Sequence, residues 1–111
     1  MANLFPTDTG LPMVVWAVES GHARHDVRIK VSQSHGTQVL PANLAVVAVR
    51  PAPRLISGNL SPGDLSAVSD WIWLNEATLV DYWKYRISTL QLIQQLQRLP
   101  ASRARPQRID R

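Results

Sequence analysis

The tetrapeptide Ser61-Pro62-Gly63-Asp64 splits this chain into two parts with different periodicities. It offers a hydroxyl for an N-cap, a proline at the first helical position and a carboxylate at the third. Downstream, Leu65, Val68, Ile72, Leu79 and Trp83 fall within a stripe roughly 60° wide at 100° per residue. The phase survives past Asn75, which predicts one helix from Pro62 to Arg86, on the order of 37 Å long. A break near Asn75 is the alternative. A second capping box, Ser88-Thr89-Leu90-Gln91, predicts a shorter helix with Leu92, Ile93, Leu96 and Leu99 on its apolar side, closed by Pro100.

Upstream of Ser61 the pattern is that of strands. Asp26 to Ser32 alternates strictly: Val27, Ile29 and Val31 face one way, Asp26, Arg28 and Lys30 the other, giving one buried and one wet face. Met13 to Glu19 is rich in β-branched and aromatic residues, and Asn43 to Arg50 is apolar on both faces. Gln38 to Leu40 and Arg54 to Ser57 read as short strands, the latter stopped by Gly58. Pro51 and Pro53 make Arg50 to Arg54 a strand-to-strand corner. The expected fold is therefore α+β: an antiparallel sheet of three to five strands with one long and one shorter C-terminal helix packed on one face. Residues 1–12 read as a turn-rich lead-in, 13–99 as a single α+β domain, and 100–111 as a basic, disordered tail.

Composition narrows the classes of function. At 111 residues, 45% hydrophobic and 18% charged, the chain suits one globular core. It has no cysteine, which excludes disulfides, thiolate metal sites and cysteine nucleophiles. No signal-like start and no membrane-length apolar run occur, so a cytoplasmic protein without membrane contact is expected. The net charge of +4 lies in residues 98–111, and the first 97 residues sum to zero.

The three histidines all fall between residues 21 and 36. If residues 26–32 are extended, His25 and His35 stand about 30 Å apart. Zinc needs three or four ligands within about 2.0 to 2.3 Å, so only His22 and His25 remain as a two-residue metal candidate. The chain has no glycine-rich phosphate loop and no strand–nucleophile–helix signature, and its carboxylates are dispersed. No catalytic residue and no cofactor is expected.

Two interaction surfaces stand out instead. Trp71, Trp73, Tyr82, Trp83 and Tyr85 place five of seven aromatic residues on one helix. Leu74 and Tyr85, with Trp73 nearby, point away from its buried stripe, and aromatic anchors commonly dominate interfaces. Unless the C-terminal helix covers them, they predict a protein partner or self-association. The alternative is nucleic-acid binding through Arg103, Arg105, Arg108 and Arg111 of the tail, with Arg28 and Lys30 adding a basic strand face.

The succession His25-Asp26-Val27-Arg28-Ile29-Lys30-Val31, AVVAV at 45–49, Leu55-Ile56-Ser57-Gly58-Asn59-Leu60-Ser61, then Leu65, Val68, Trp71-Ile72, Leu79 and Trp83 resembles small bacterial proteins grouped as domain of unknown function 4160. The resemblance spans residues 13–86. Where that family has a Pro-His-x-His run, this chain reads Ala23-Arg24-His25-Asp26, so His25 is the one histidine that carries over. Such proteins often sit beside toxin–antitoxin-like or other small partner genes. The resemblance implies an accessory, partner-binding role.

Overall fold

The computed structural model describes residues 1–21 and 25–100. Strict alternation shapes β3 (Arg28–Ser32), in which Ile29 and Val31 are buried while Arg28 and Lys30 stay half exposed. β3 lies at the centre of a five-stranded antiparallel sheet whose spatial order follows the chain: β1 (Ala2–Leu4), β2 (Val15–Ala17), β3, β4 (Leu44–Ala48) and β5 (Arg54–Ser57). Residues directly opposite in an antiparallel ladder share a face. Ala17, Ile29 and Val47 therefore form one row of the inner face, and Leu4, Val15, Val31 and Ala45 the next.

Against that inner face lies α2 (Pro62–Trp83), which inserts Val68, Trp71, Ile72, Leu79 and Trp83 into a core shared with Leu4, Val15, Ile29, Val31 and Val47. Its start follows the sequence, since the Asp64 N–H donates to Ser61 Oγ at 3.0 Å with Pro62 at the first position. It does not break at Asn75. That residue is buried, with Nδ2 donating to the Trp71 and Gln97 carbonyls and Oδ1 accepting from the Gln97 N–H.

The helix ends at Trp83, three residues earlier than expected. Tyr85 adopts φ +62°, the Arg86 N–H reaches the Asp81 carbonyl and the Tyr85 N–H that of Tyr82. This is the Schellman arrangement, with tyrosine where glycine is usual. A left-handed non-glycine residue costs about 1 to 2 kcal/mol, and the bond from the Gly21 N–H to Tyr85 Oη offsets part of that. α3 (Thr89–Gln95) begins on the expected capping box, Ser88 and Gln91 bonding reciprocally. It buries Leu92 but exposes Ile93, and beyond Gln95 the chain carries Leu99 into the core.

Three expectations need correction. Residues 1–12 are not a lead-in outside the domain: β1 buries Ala2 and Leu4 beside β2, and the short helix α1 (Pro6–Thr9) follows. Gly10 closes α1 at φ +80°, and the adjacent Thr9 carbonyl accepts the Leu99 N–H at 2.7 Å, which ties both ends of the domain together. A side chain at Gly10 would overlap the Leu99 carbonyl. Residues 38–40 form no strand, and Val39 and Leu40 are exposed. Finally, the apolar side expected of the shorter helix loses Ile93 to solvent.

Candidate functional site

Helices cover one face of the sheet, and the site question concerns the other. On that outer face Asn3, Trp16, Lys30 and Val46 make one cross-strand row, and Arg28, Ala48 and Arg54 the next. The structure thus brings Arg28 and Lys30 together, about 6.7 Å apart along one strand, and adds Arg54. The sequence hid Arg54, because its face is set by pairing with β4 rather than by its own short pattern. Among the described residues none of the three cations has an ion-pair partner. The face is only partly open, since Trp16 is 4% exposed and shares a cleft with Val39 and Pro41.

At the Arg28 end lies a cleft of about 320 Å³, with Val18, Val46 and Trp83 as apolar wall and Arg28, Lys30 and His25 as polar wall. The His25 ring sits 5.5 Å from that of Trp83. Glu19, on the rim, pairs with the amino group of Met1. Arg28 Nε is buried and has no hydrogen-bond acceptor among the described residues. Nearby, Asp26 accepts from Arg50 at 2.8 Å and from the Val27 N–H at 2.7 Å. The Arg50 guanidinium, more than the backbone bond, holds the Asp26 carboxyl below the usual carboxylate range.

The outer side of α2 is a second surface. Trp73 is 56% and Leu74 38% exposed, and α3 covers neither. Ala77 extends the same side by one turn. Between Pro62 and Trp83 the helix carries Asp64, Asp70, Glu76 and Asp81 and no cation. Tyr85 is exposed as well, but it lies about 18 Å further along the axis than Trp73, and its hydroxyl serves the helix end. Trp73 and Leu74 form a patch that Tyr85 does not join.

His25 and His35 are separated as their strand requires. His25 meets Trp83 at the last turn of α2, while His35 Nε2 pairs with Asp64 at 2.9 Å in the first turn. No cluster of three or more potential metal ligands occurs among the described residues. His22 and the tail arginines Arg103, Arg105, Arg108 and Arg111 lie outside the described residues.

Fold and surfaces together define an antiparallel five-stranded α+β domain with helices on one face and cations on the other. No family model, curated protein or solved structure matches this chain.

Proposed function

We propose that the protein is a non-catalytic accessory protein that acts through protein–protein contact, beginning with self-association. The observation that carries this reading is Trp73, more than half exposed beside Leu74 on a helix with four acids and no cation. A tryptophan side chain buries about 150 to 250 Å² when covered. Covering the exposed half would contribute roughly 2 to 3 kcal/mol at about 25 cal/mol per Å². The complementary surface is apolar and basic, and the outer sheet face of a second copy, with Arg28, Lys30 and Arg54 around Val46, has that character. Such a contact joins two different surfaces, so it is heterologous and builds chains or rings rather than a closed pair. The sequence resemblance to domain of unknown function 4160 would imply the same accessory role.

Light scattering across concentration and salt tests this. The mass should rise with concentration past the dimer at low ionic strength, fall back as salt screens the charges, and stay monomeric in Trp73→Asp with an unchanged circular dichroism spectrum. A wild-type chain that is monomeric at high concentration and low salt overturns it.

One observation favours a second reading. Arg28, Lys30 and Arg54 share a face with no acidic partner among the described residues, which suits a phosphate backbone. Against it, Trp16, the aromatic residue in the same cross-strand row as Lys30, is buried and does not offer its ring for base stacking.

A further inference from the structure

The cleft at the Arg28 end of the sheet has a composition that packing does not require. Two cations from adjacent outward positions of β3 line a space whose other lining residues are Val18, Glu19, Ser20, His25, Val46 and Trp83. A buried guanidinium N–H without an acceptor is costly, more so than a neutral group, and Arg28 Nε is in that state among the described residues. That atom is closed to solvent, so a ligand in the cleft would meet the terminal nitrogens of the guanidinium rather than Nε. Lys30 is held beside it by its pairing with Trp16 and Val46 across the sheet. The rim acid, Glu19, is engaged by the Met1 amino group and does not neutralise either cation.

The geometry points to a binding site for a small organic acid: a carboxylate held by Arg28 and Lys30, with an apolar body between Val18, Val46 and Trp83. A planar carboxylate matches the guanidinium fork, and the hydrogen bonds are charge-assisted. At about 320 Å³ the cleft is at the small end of ligand pockets, which fits a body of one ring or a short branched chain. The His25 ring, 5.5 Å from that of Trp83, adds a third polar side chain to the lining. This site shares Arg28, Lys30 and Val46 with the sheet face proposed to receive Trp73 of a second copy, so ligand and second copy would compete for it, but the site itself stands without the self-association reading.

The test uses the full chain and three probes: phenylacetate, its uncharged counterpart phenylacetamide, and inorganic phosphate. Isothermal titration calorimetry should give one saturable site for phenylacetate with Kd in the range of about 0.1 to 5 mM, as expected for a ligand of this size. Phenylacetamide and phosphate should each bind about tenfold more weakly or worse. Arg28→Gln and Lys30→Gln should each weaken phenylacetate by about tenfold while melting like the wild type. Trp73→Asp, whose sheet face no second copy would occupy, should bind it at least as tightly as the wild type, so a failure of self-association and a failure of this site are read separately. Equal binding of phenylacetamide, tighter binding of phosphate, or no heat with phenylacetate up to about 20 mM overturns the assignment, whatever the variants do.

Discussion

At the scale of single residues, Asn75 shows how one side chain replaces a missing strand neighbour. Its amide bonds both the N–H and the C=O of Gln97, as a backbone partner would, and so fixes the segment after α3 against α2. Asn75→Leu keeps the branching and the number of side-chain heavy atoms but leaves both Gln97 groups unpaired. It should cost about 2 to 3 kcal/mol, read as a lower urea midpoint with an unchanged slope. Asparagine is a poor helix former, which is why a break there was a fair expectation. Its role was not legible, because the partner is 22 residues away. Asp26 makes a prediction about pH. Its folded-state value is depressed, chiefly by the Arg50 hydrogen bond. The stabilisation is therefore complete above the ordinary aspartate value and fades as pH falls through the lower, folded one. The pair is exposed, so the effect is small. Asp26→Asn should flatten the acid limb of a stability-versus-pH curve and leave its alkaline side unchanged. A depressed Asp26 was invisible in the sequence, which put that residue on the wet face without showing Arg50 beside it.

Elements were legible in proportion to their length. β3 and β4 run for five residues and α2 for 22, enough for alternation or a helical stripe to show. β1 has three residues, and its buried–exposed–buried pattern at Ala2, Asn3 and Leu4 is too brief to separate from a turn-rich start. The error mattered, because β1 covers the edge of β2. An uncovered strand edge is an open template for pairing with other chains. Removing residues 1–5 takes Ala2 and Leu4 out of the core and frees the backbone of Val15–Ala17. Such a chain should lose several kcal/mol, with roughly 2 kcal/mol from Leu4 alone, and should aggregate at concentrations the full chain tolerates. Turbidity during a thermal ramp measures the second effect and chemical unfolding the first. An unchanged melt would mean that β1 contributes nothing to the sheet. Gly58, by contrast, was read correctly as a strand stop, and the reason is steric as well as conformational. At φ +82° an added Cβ would approach the Ala45 Cα to 2.7 Å, so Gly58→Ala should destabilise by about 2 to 4 kcal/mol.

For the whole molecule, net charge and charge placement tell different stories. The sequence shows that the first 97 residues are neutral, but neutrality conceals segregation: four acids lie on α2, and Arg28, Lys30 and Arg54 on the far face of the sheet. Only strand register reveals this, because Arg54 joins Arg28 through Ala48 rather than through its own neighbours. The consequence is a test that places any nucleic-acid affinity. A chain ending at Pro100 loses Arg103, Arg105, Arg108, Arg111 and Asp110, and its net charge falls from +4 to +1. Leu99 is the last described residue of the core, and the melting temperature of the shortened chain is the control that its fold is intact. If phosphate contacts reside in the arginines beyond Pro100, the full chain should bind duplex DNA weakly at about 20 mM salt. The slope of log affinity against log salt should approach −3.6 for four neutralised phosphates, and the shortened chain should not bind. Binding that survives the truncation and disappears in Lys30→Glu would instead put the contact on the sheet. That face would then serve phosphates, and self-association through it would compete with them, so added duplex would dissolve the higher-mass species seen by light scattering.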